Sequence, residues 1–566
     1  MIRKLNRSTN SVPMAALILA VSILVSRFLG LIRDRILAGL YGAGVELDIY
    51  FAAFRIPDLI YSVIIGGAVS SAFIPIFINH LSKNEKDAWE VAGSFFKVAA
   101  LGLVGICIII YILMPLLMPL VVPGFDAENK TLAITMSRIM LLSPLFLGLS
   151  AVFSGILHSF RKFFIYSLAP IFYNIGIIIG ALWFTQFWGV EGLAWGVALG
   201  AVLHMAVQAP STFHAGFNIT PLRNIFHPSI KRIFKLMVPR ALGLGAYQIN
   251  LWVITAIAST LAAGSLTIFT LANNIQYLPV GIVGISFATA VFPNLSKSFS
   301  EKNKEKYLRE FSRTLRSVFF VVFPLSVLFF IFRAQLVRII LGTGQFGWED
   351  TRLTAASLGA FSFGIAAYAL APIISKAFYA REDTKTPVIA NTIGMAINII
   401  LSAWLIFVIF PSDGILEFLG NLLRIGDLPN TAVIGLPLSF SISGIAALVL
   451  LFGAFFSNKD NASIKPALAS SFTRTAFASF IAGGFAWIAL RTYGILFDPI
   501  DTFASIFTQT AIASIIAFIV YLAIAWFFKF DEFLVLRAFI TAKLKKAKLP
   551  KEAPVDQMNG FTHHQE

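Results

Sequence analysis

The chain has 566 residues, 58% of them hydrophobic and 13% charged, with a mean hydropathy of +0.82. Soluble globular chains carry roughly 25% charged residues, so the composition excludes a water-soluble fold and describes an integral membrane protein. The formal charge of +16 does not point to nucleic acid, because the basic residues sit in short connections between apolar runs and in the C-terminal tail.

Apolar runs long enough to cross a bilayer fall near 14–40, 47–80, 88–121, 131–158, 163–187, 192–213, 233–262, 266–298, 307–341, 352–380, 386–410, 431–456, 467–493 and 503–530. They predict an all-α polytopic membrane protein of about 14 helices, at roughly 20 residues per crossing. The run after the basic N-terminus (Arg3, Lys4, Arg7) is too long for a signal-peptide core and has no small-residue cleavage site, so it reads as a retained first helix. With that terminus inside, the inner loops hold Lys83 and Lys86; Arg161 and Lys162; Arg223, Lys231, Arg232 and Lys235; Lys297, Lys302, Lys304, Lys306 and Arg309; Arg381 and Lys385; Lys459 and Lys465. The outer loops are short or acidic, with Lys130, Arg338, Arg424 and Arg491 as the main exceptions. An even helix count returns the chain to the cytoplasm, where Lys543, Lys545, Lys546, Lys548 and Lys551 follow. Both termini are expected to be cytoplasmic.

Two internal matches, each offset by about 220 residues, suggest parallel repeats about an axis along the membrane normal. Segment 54–83 resembles 272–298, aligning Pro75 with Pro293, and 158–184 resembles 378–406, aligning Arg161 with Arg381 and bringing Trp183 close to Trp404. The expected division is an N-terminal lobe (1–225, helices 1 to 6) and a C-terminal lobe (226–460, helices 7 to 12). Two further helices (461–533) and a basic cytoplasmic tail (534–566) follow, and the outer loop near 411–430 is an insertion in the second repeat.

The stretch from Ser26 to Pro75 carries Arg27, Arg33, Asp34, Arg35, Asp48, Arg55 and Asp58 inside otherwise apolar runs. An ionisable side chain at membrane depth costs about 3 kcal/mol on insertion scales and is a functional hypothesis by default. Inward-facing guanidinium groups suit a phosphate through their planar fork. The structural alternative is that these arginines only neutralise Asp34, Asp48 or Asp58 across the helix pair. Arg27 and Asp34, seven apart, share a face. In the second repeat Arg240 is the clearest intramembrane cation. Asn273, Asn274 and Gln276 form a polar patch on helix eight, and Asn391 and Asn398 share a face of helix eleven. Such neutral patches either line a wet cavity or hold helices together.

Other patterns carry less. Gly342 to Gly347 fits GxGxxG but follows a membrane helix rather than a strand. The single Cys107 leaves no internal disulfide and no multi-cysteine metal site. The histidines are scattered, and no carboxylate pair, Ser-His-Asp set or Walker loop suggests an enzyme or an ATPase.

The opening stretch resembles the MurJ (MviN) family of lipid II flippases, within the multidrug/oligosaccharidyl-lipid/polysaccharide exporter superfamily. The match is carried by Ser26-Arg27-x-Leu29-Gly30-x-x-Arg33-Asp34, Gly42-Ala43-Gly44-x-x-x-Asp48, Ala53-Phe54-Arg55-x-Pro57 and Gly67-Ala68-x-Ser70-x-Ala72-Phe73-x-Pro75. It continues at Pro293 to Ser298 and Phe378 to Pro387. The resemblance implies two six-helix lobes forming a V around a central cavity, with the last two helices shaping a groove for a lipid tail. It implies a bacterial plasma-membrane transporter, not an enzyme. Its partners would be membrane lipids and undecaprenyl-pyrophosphate-linked muropeptide (lipid II) or a similar lipid-linked glycan, moved from inner to outer leaflet by alternating access. No cofactor is implied; coupling to a cation gradient or the membrane potential is.

By position, Arg27 and Arg33 match the family's two first-helix arginines and Asp48 its acidic residue at the start of helix two. The family's helix-two arginine falls at Tyr61, its downstream glutamate at Gly66, and its helix-eight Asp-Arg pair at Asn273-Asn274. Arg55 and Arg240 are the candidates to compensate. The alternatives are a flippase for another polyprenyl-linked glycan, a cation-coupled exporter of small amphiphiles, which predicts a carboxylate-based site within a lobe, and a membrane glycosyltransferase, which predicts a catalytic group near the outer surface.

Overall fold

The computed structural model describes residues 12–63, 72–218, 227–411, 413–497 and 499–534; the side chains of 12–17, 19, 20, 238–244, 246, 413, 416 and 419 are outside that description. The expected basic tail therefore falls almost wholly outside the described residues, as do Gly66 and the side chain of Arg240.

Eleven described helices are long and apolar enough to cross a membrane: α5 (Glu85–Val121), α6 (Ala127–Ser159), α7 (Phe163–Trp188), α8 (Glu191–Phe213), α10 (Ser265–Ser300), α11 (Lys304–Ile331), α13 (Trp348–Ala380), α14 (Lys385–Ile409), α16 (Thr431–Phe456), α17 (Lys459–Leu496) and α18 (Phe503–Phe527). The other three expected runs are helical too. They are α1 (Val12–Tyr41), the described parts of the second run as α2 (Val45–Ala53), α3 (Arg55–Tyr61) and α4 (Ile74–Leu81), and α9 (Pro228–Ser259). Two short helices complete the set among the described residues, α12 (Arg333–Leu341) and α15 (Asp413–Leu423). Among the described residues there is no strand.

Polar side chains start several helices at the water boundary. Asn84 accepts from the Lys86 backbone N–H, Asp126 from Asn129, Asn303 from Lys306 and Thr502 from Ser505, each meeting an orphan donor of a first turn. Contacts between loops respect the alternation of ends. Lys304 pairs with Asp460, and Arg381 reaches Asn461 at 3.3 Å, at what we call the basic end. Arg338 reaches the Asp501 carbonyl at 3.0 Å and Arg352 the Asp427 carboxylate at 2.7 Å, at the acidic end.

The repeat is visible as geometry. The π-helical segment Gly180–Phe184 in α7 has its counterpart at Leu405–Ile409 in α14. The turns after α6 and α13 are alike: Lys162 N–H bonds the Leu157 carbonyl and Asp383 N–H the Phe378 carbonyl, with Arg161 and Glu382 at positive φ. This pairs Arg161 with Glu382, one residue on from the Arg381 given by sequence alignment.

The second lobe is built around α13. Its apolar stretch is 72% buried inside the protein, against 22% for the lipid-facing α5. Tyr368 on α13 donates to the Phe440 carbonyl of α16, and Tyr307 of α11 to the Ala377 carbonyl of α13. The two last helices attach through α11, with Tyr521 donating to the Phe320 carbonyl at 2.7 Å. The apolar core divides instructively. One cluster runs through the first lobe and α9 and takes in only the acidic-end half of the second lobe, including Leu266, Phe269, Phe346 and Phe361. The basic-end half has its own cluster around Phe311, Ile373 and Phe455. The lobes share a core at the acidic end and have separate cores toward the basic end.

Candidate functional site

Helix α1 runs between the lobes and sets its charges at successive depths. Arg27 is exposed, stacks over the Tyr277 ring of α10 at 5.2 Å, and has no ion pair among the described residues. Its Nη2 lies 3.2 Å from where a Cβ on Gly281 would stand, so the bare backbone of α10 leaves the guanidinium its place.

Arg33 is bound differently. Its Nε and Nη2 donate to Asp34 Oδ1 at 3.0 and 2.7 Å, and its Nη1 donates to Asn174 of α7 at 3.1 Å. Asp34 is buried and accepts a further bond at 3.0 Å from Asn274 of α10. The face shared by Arg27 and Asp34 does not become a pair, because the long Arg33 side chain folds back on its neighbour. The result is a chain Asn174–Arg33–Asp34–Asn274 that joins α7, α1 and α10.

Asp48 sits away from these groups. It is 3% exposed, and its oxygens accept from Gly264 N–H (2.8 Å), Thr267 N–H (2.7 Å) and Thr267 Oγ1 (2.6 Å). A carboxylate from α2 thus caps the N-terminus of α10, where the free donors and the helix dipole favour negative charge. Arg35 does the reverse for α12: its Nη1 donates to the Ile339 and Ile340 carbonyls at 2.7 and 3.3 Å, the C-terminal end of that helix. Around these two caps the backbones touch. Gln345 N–H bonds the Gly39 carbonyl, Ala43 N–H bonds Asp350, and Gly124 N–H bonds Ser259 Oγ. Gly264 (φ 86°) and Gly344 (φ 55°) allow the approach, since a Cβ there would stand 2.0 Å from the Ala43 carbonyl oxygen and 2.1 Å from that of Gly39. These contacts close the acidic end.

Arg55 donates to Thr255 of α9 at 2.7 Å, with Asp58 one turn on. Gln248 of α9 donates to Ser62 at 2.7 Å, beside the half-buried Tyr61. Asn273 accepts from Gln276 within α10, whereas Asn274 reaches across to Asp34 of α1. At the basic end His80 and His227 both meet Asp87, the latter at 3.1 Å, and Ser229 meets His80 at 3.0 Å, tying the first turn of α9 to α4 and α5. Asn398 is buried against Asn250 (3.1 Å) and Ser439 (3.1 Å), a satisfied neutral knot inside the second lobe. Among the described residues no group of three or more His, Cys, Asp or Glu is placed to hold a metal ion.

The structure therefore links Arg33 to Asn274 through Asp34, sets Arg27 against Tyr277 of α10, ties Arg55 to Thr255 of α9 and places Asp48 in the acidic-end closure. Sequence reasoning missed Asn174, Tyr277, Gly281 and Thr255. Asn174, an amide in an otherwise apolar run, carried a signal; the others are ordinary residues until the lobes are assembled.

A family model described as lipid II flippase MurJ matches residues 37–508. A probable lipid II flippase MurJ of Rhizobium tropici is 32% identical over 404 residues, covering 69% of this chain and 74% of the relative. The lipid II flippase MurJ of Burkholderia cenocepacia is 29% identical over 379 residues, covering 64% and 72%. Among solved structures, a lipid II flippase MurJ in an inward closed conformation superposes with a TM-score of 0.72 at 25% identity, covering 91% of this chain and 99% of that one. An inward-facing multidrug resistance transporter of the MATE family shares the fold with a TM-score of 0.63 at 15% identity, covering 80% and 99%. The chain belongs to the MurJ family of lipid II flippases.

Proposed function

We propose that this chain moves lipid II, or a closely similar polyprenyl-pyrophosphate-linked glycan, from the inner to the outer leaflet of a bacterial plasma membrane. In this reading the basic end and both termini are cytoplasmic, residues 1–225 and 226–460 are the two moving lobes, and 461–533 accompany the lipid tail in the bilayer. The observation that carries it is Arg27: an exposed guanidinium with no described counter-ion, at membrane depth, between lobes joined at the acidic end.

A pyrophosphate entering from the basic end meets Arg27 first and Arg33 about 9 Å deeper along α1. Arg27 offers an open fork. Arg33 has to exchange part of its bond to Asp34 for the substrate, which loosens the link through Asn274 to α10. Substrate binding is thereby coupled to the contact between lobes, as alternating access requires. A membrane potential, negative inside, favours outward movement of the anionic headgroup by about 2.3 kcal/mol per charge per 100 mV. The test is rescue of a bacterium depleted of its own flippase. The intact protein sustains growth, and Arg27→Ala and Arg33→Ala, present in the membrane at equal level, do not. An intact protein that reaches the membrane without rescue overturns the assignment; full rescue by both variants overturns the binding roles.

A further inference from the structure

The connection between α14 and α16 is more than the fold needs. In the first repeat the equivalent connection, from Trp188 to Glu191, is two residues long, whereas here residues 410–430 intervene and contain the eleven-residue helix α15. At about 1.5 Å per residue α15 is too short to span a bilayer. It is not a free loop. Leu423 and Ile425 are buried, and Arg352 of α13 clips the far side by donating to Asp427 and to the Arg424 carbonyl.

At about 100° per residue, α15 divides into three faces. Gly420 and Leu423 turn toward the protein and are buried. Glu417 and Asn421 form an exposed polar face. Ile415, Phe418 and Leu422 fall together on a third arc and are 50%, 66% and 52% exposed. Three bare large apolar side chains on one short helix would be costly in water. Just before α15, helix α14 presents Ile400, Trp404, Phe407 and Val408, at 50–68% exposure, along its membrane-spanning surface. The bare arc of α15 follows that lipid-facing stripe directly in the chain, beyond Pro411.

We propose that α15 lies in the lipid–water interface at the acidic end, with Ile415, Phe418 and Leu422 among the upper acyl chains and Glu417 and Asn421 among the headgroups. This is the disposition of an interfacial amphipathic helix. Its partner is the lipid surface, and its consequence is that the second lobe is pinned to one depth at that end. The proposal is independent of which substrate is carried.

The single cysteine makes the test clean. In full-length Cys107→Ser protein, a fluorescent label is placed in turn through Ile415→Cys, Phe418→Cys, Leu422→Cys and Glu417→Cys. The protein is reconstituted into phosphatidylethanolamine–phosphatidylglycerol vesicles. Quenching is measured with a lipid bearing a nitroxide near the top of its acyl chain and with aqueous iodide. The three apolar-arc labels should be quenched at least severalfold more by the nitroxide lipid than the Glu417→Cys label, with the order reversed for iodide. Equal quenching at all four positions, or preferential iodide quenching on the apolar arc, overturns the proposal. So does iodide protection that disappears when protein is diluted in lipid, because the occupant is then a second copy of the chain.

Discussion

Arg27 and Arg33 stand six residues apart on one helix and keep different company: an aromatic ring for the first, the Asp34 carboxylate and the Asn174 amide for the second. A charge-assisted hydrogen bond contributes about 1.5–3 kcal/mol, so Arg27→Ala should weaken lipid II binding by roughly ten- to a hundredfold, measured as the dissociation constant in nanodiscs. Arg27→Lys keeps the charge but loses the planar fork and should recover only part of that affinity. Gly281→Leu, a change of no charge, should reproduce the Arg27→Ala loss by displacing the guanidinium from Tyr277. Unchanged binding in Gly281→Leu would mean that Arg27 needs no fixed position. Chemistry at this scale was partly legible in the sequence. That Arg27 and Arg33 are expensive at membrane depth follows from residue type. That Arg35 is a cap for α12 does not, because its partner carbonyls lie more than 300 residues away.

At the scale of elements, helix ends do the joining. Asp48 holds α10 by its N-terminus, and removing it leaves two buried backbone donors without partners, a cost of about 1–3 kcal/mol each borne only when the acidic end is closed. Asp48→Ala should therefore shift the protein toward an open acidic end. Spin labels at Glu46→Cys and Glu349→Cys in the Cys107→Ser background should report longer distances, and an unchanged distribution would remove Asp48 from the closure. Gly264→Val should act in the same direction through its clash with the Ala43 carbonyl. The clip on α15 gives a pH dependence. The Arg352 hydrogen bond lowers the Asp427 carboxyl below its ordinary value. A depressed carboxylate stabilises the folded arrangement above its unfolded pKa and loses that contribution as pH falls through the lowered value. The α15 connection should thus keep its protease resistance at neutral pH and on down past the usual carboxylate titration near about pH 4, and Asp427→Asn should abolish that acid step.

Helices in the membrane were readable because apolar length alone specifies them: each of the fourteen runs meets a helix, with α2, α3 and α4 covering the described part of the second. The π-helical segments and α15 were not, since a π turn leaves no periodicity of its own and eleven residues bounded by Pro411 and Pro429 read as a loop.

On the scale of the whole molecule, the repeat was legible from matched segments and the way the lobes meet was not. Helix α9 shows why. It follows the first repeat in sequence and begins the second, yet its hydrogen bonds run along the first lobe from Asp87 through Ser62 and Arg55 to Gly124, with Asn398 as its tie to the second. An element bonded to both lobes is the natural hinge for their relative motion, and Asp87→Ala, which frees its basic end, should alter transport rate more than substrate affinity. The most direct test of the account is transport by purified protein in vesicles containing lipid II, read as the fraction of headgroups reaching the far leaflet. The account predicts transfer by the intact protein, loss in Arg27→Ala, and no transfer of the same polyprenol without its pyrophosphate-linked glycan. Failure of the intact protein to move lipid II, or transfer indifferent to Arg27→Ala, would contradict it.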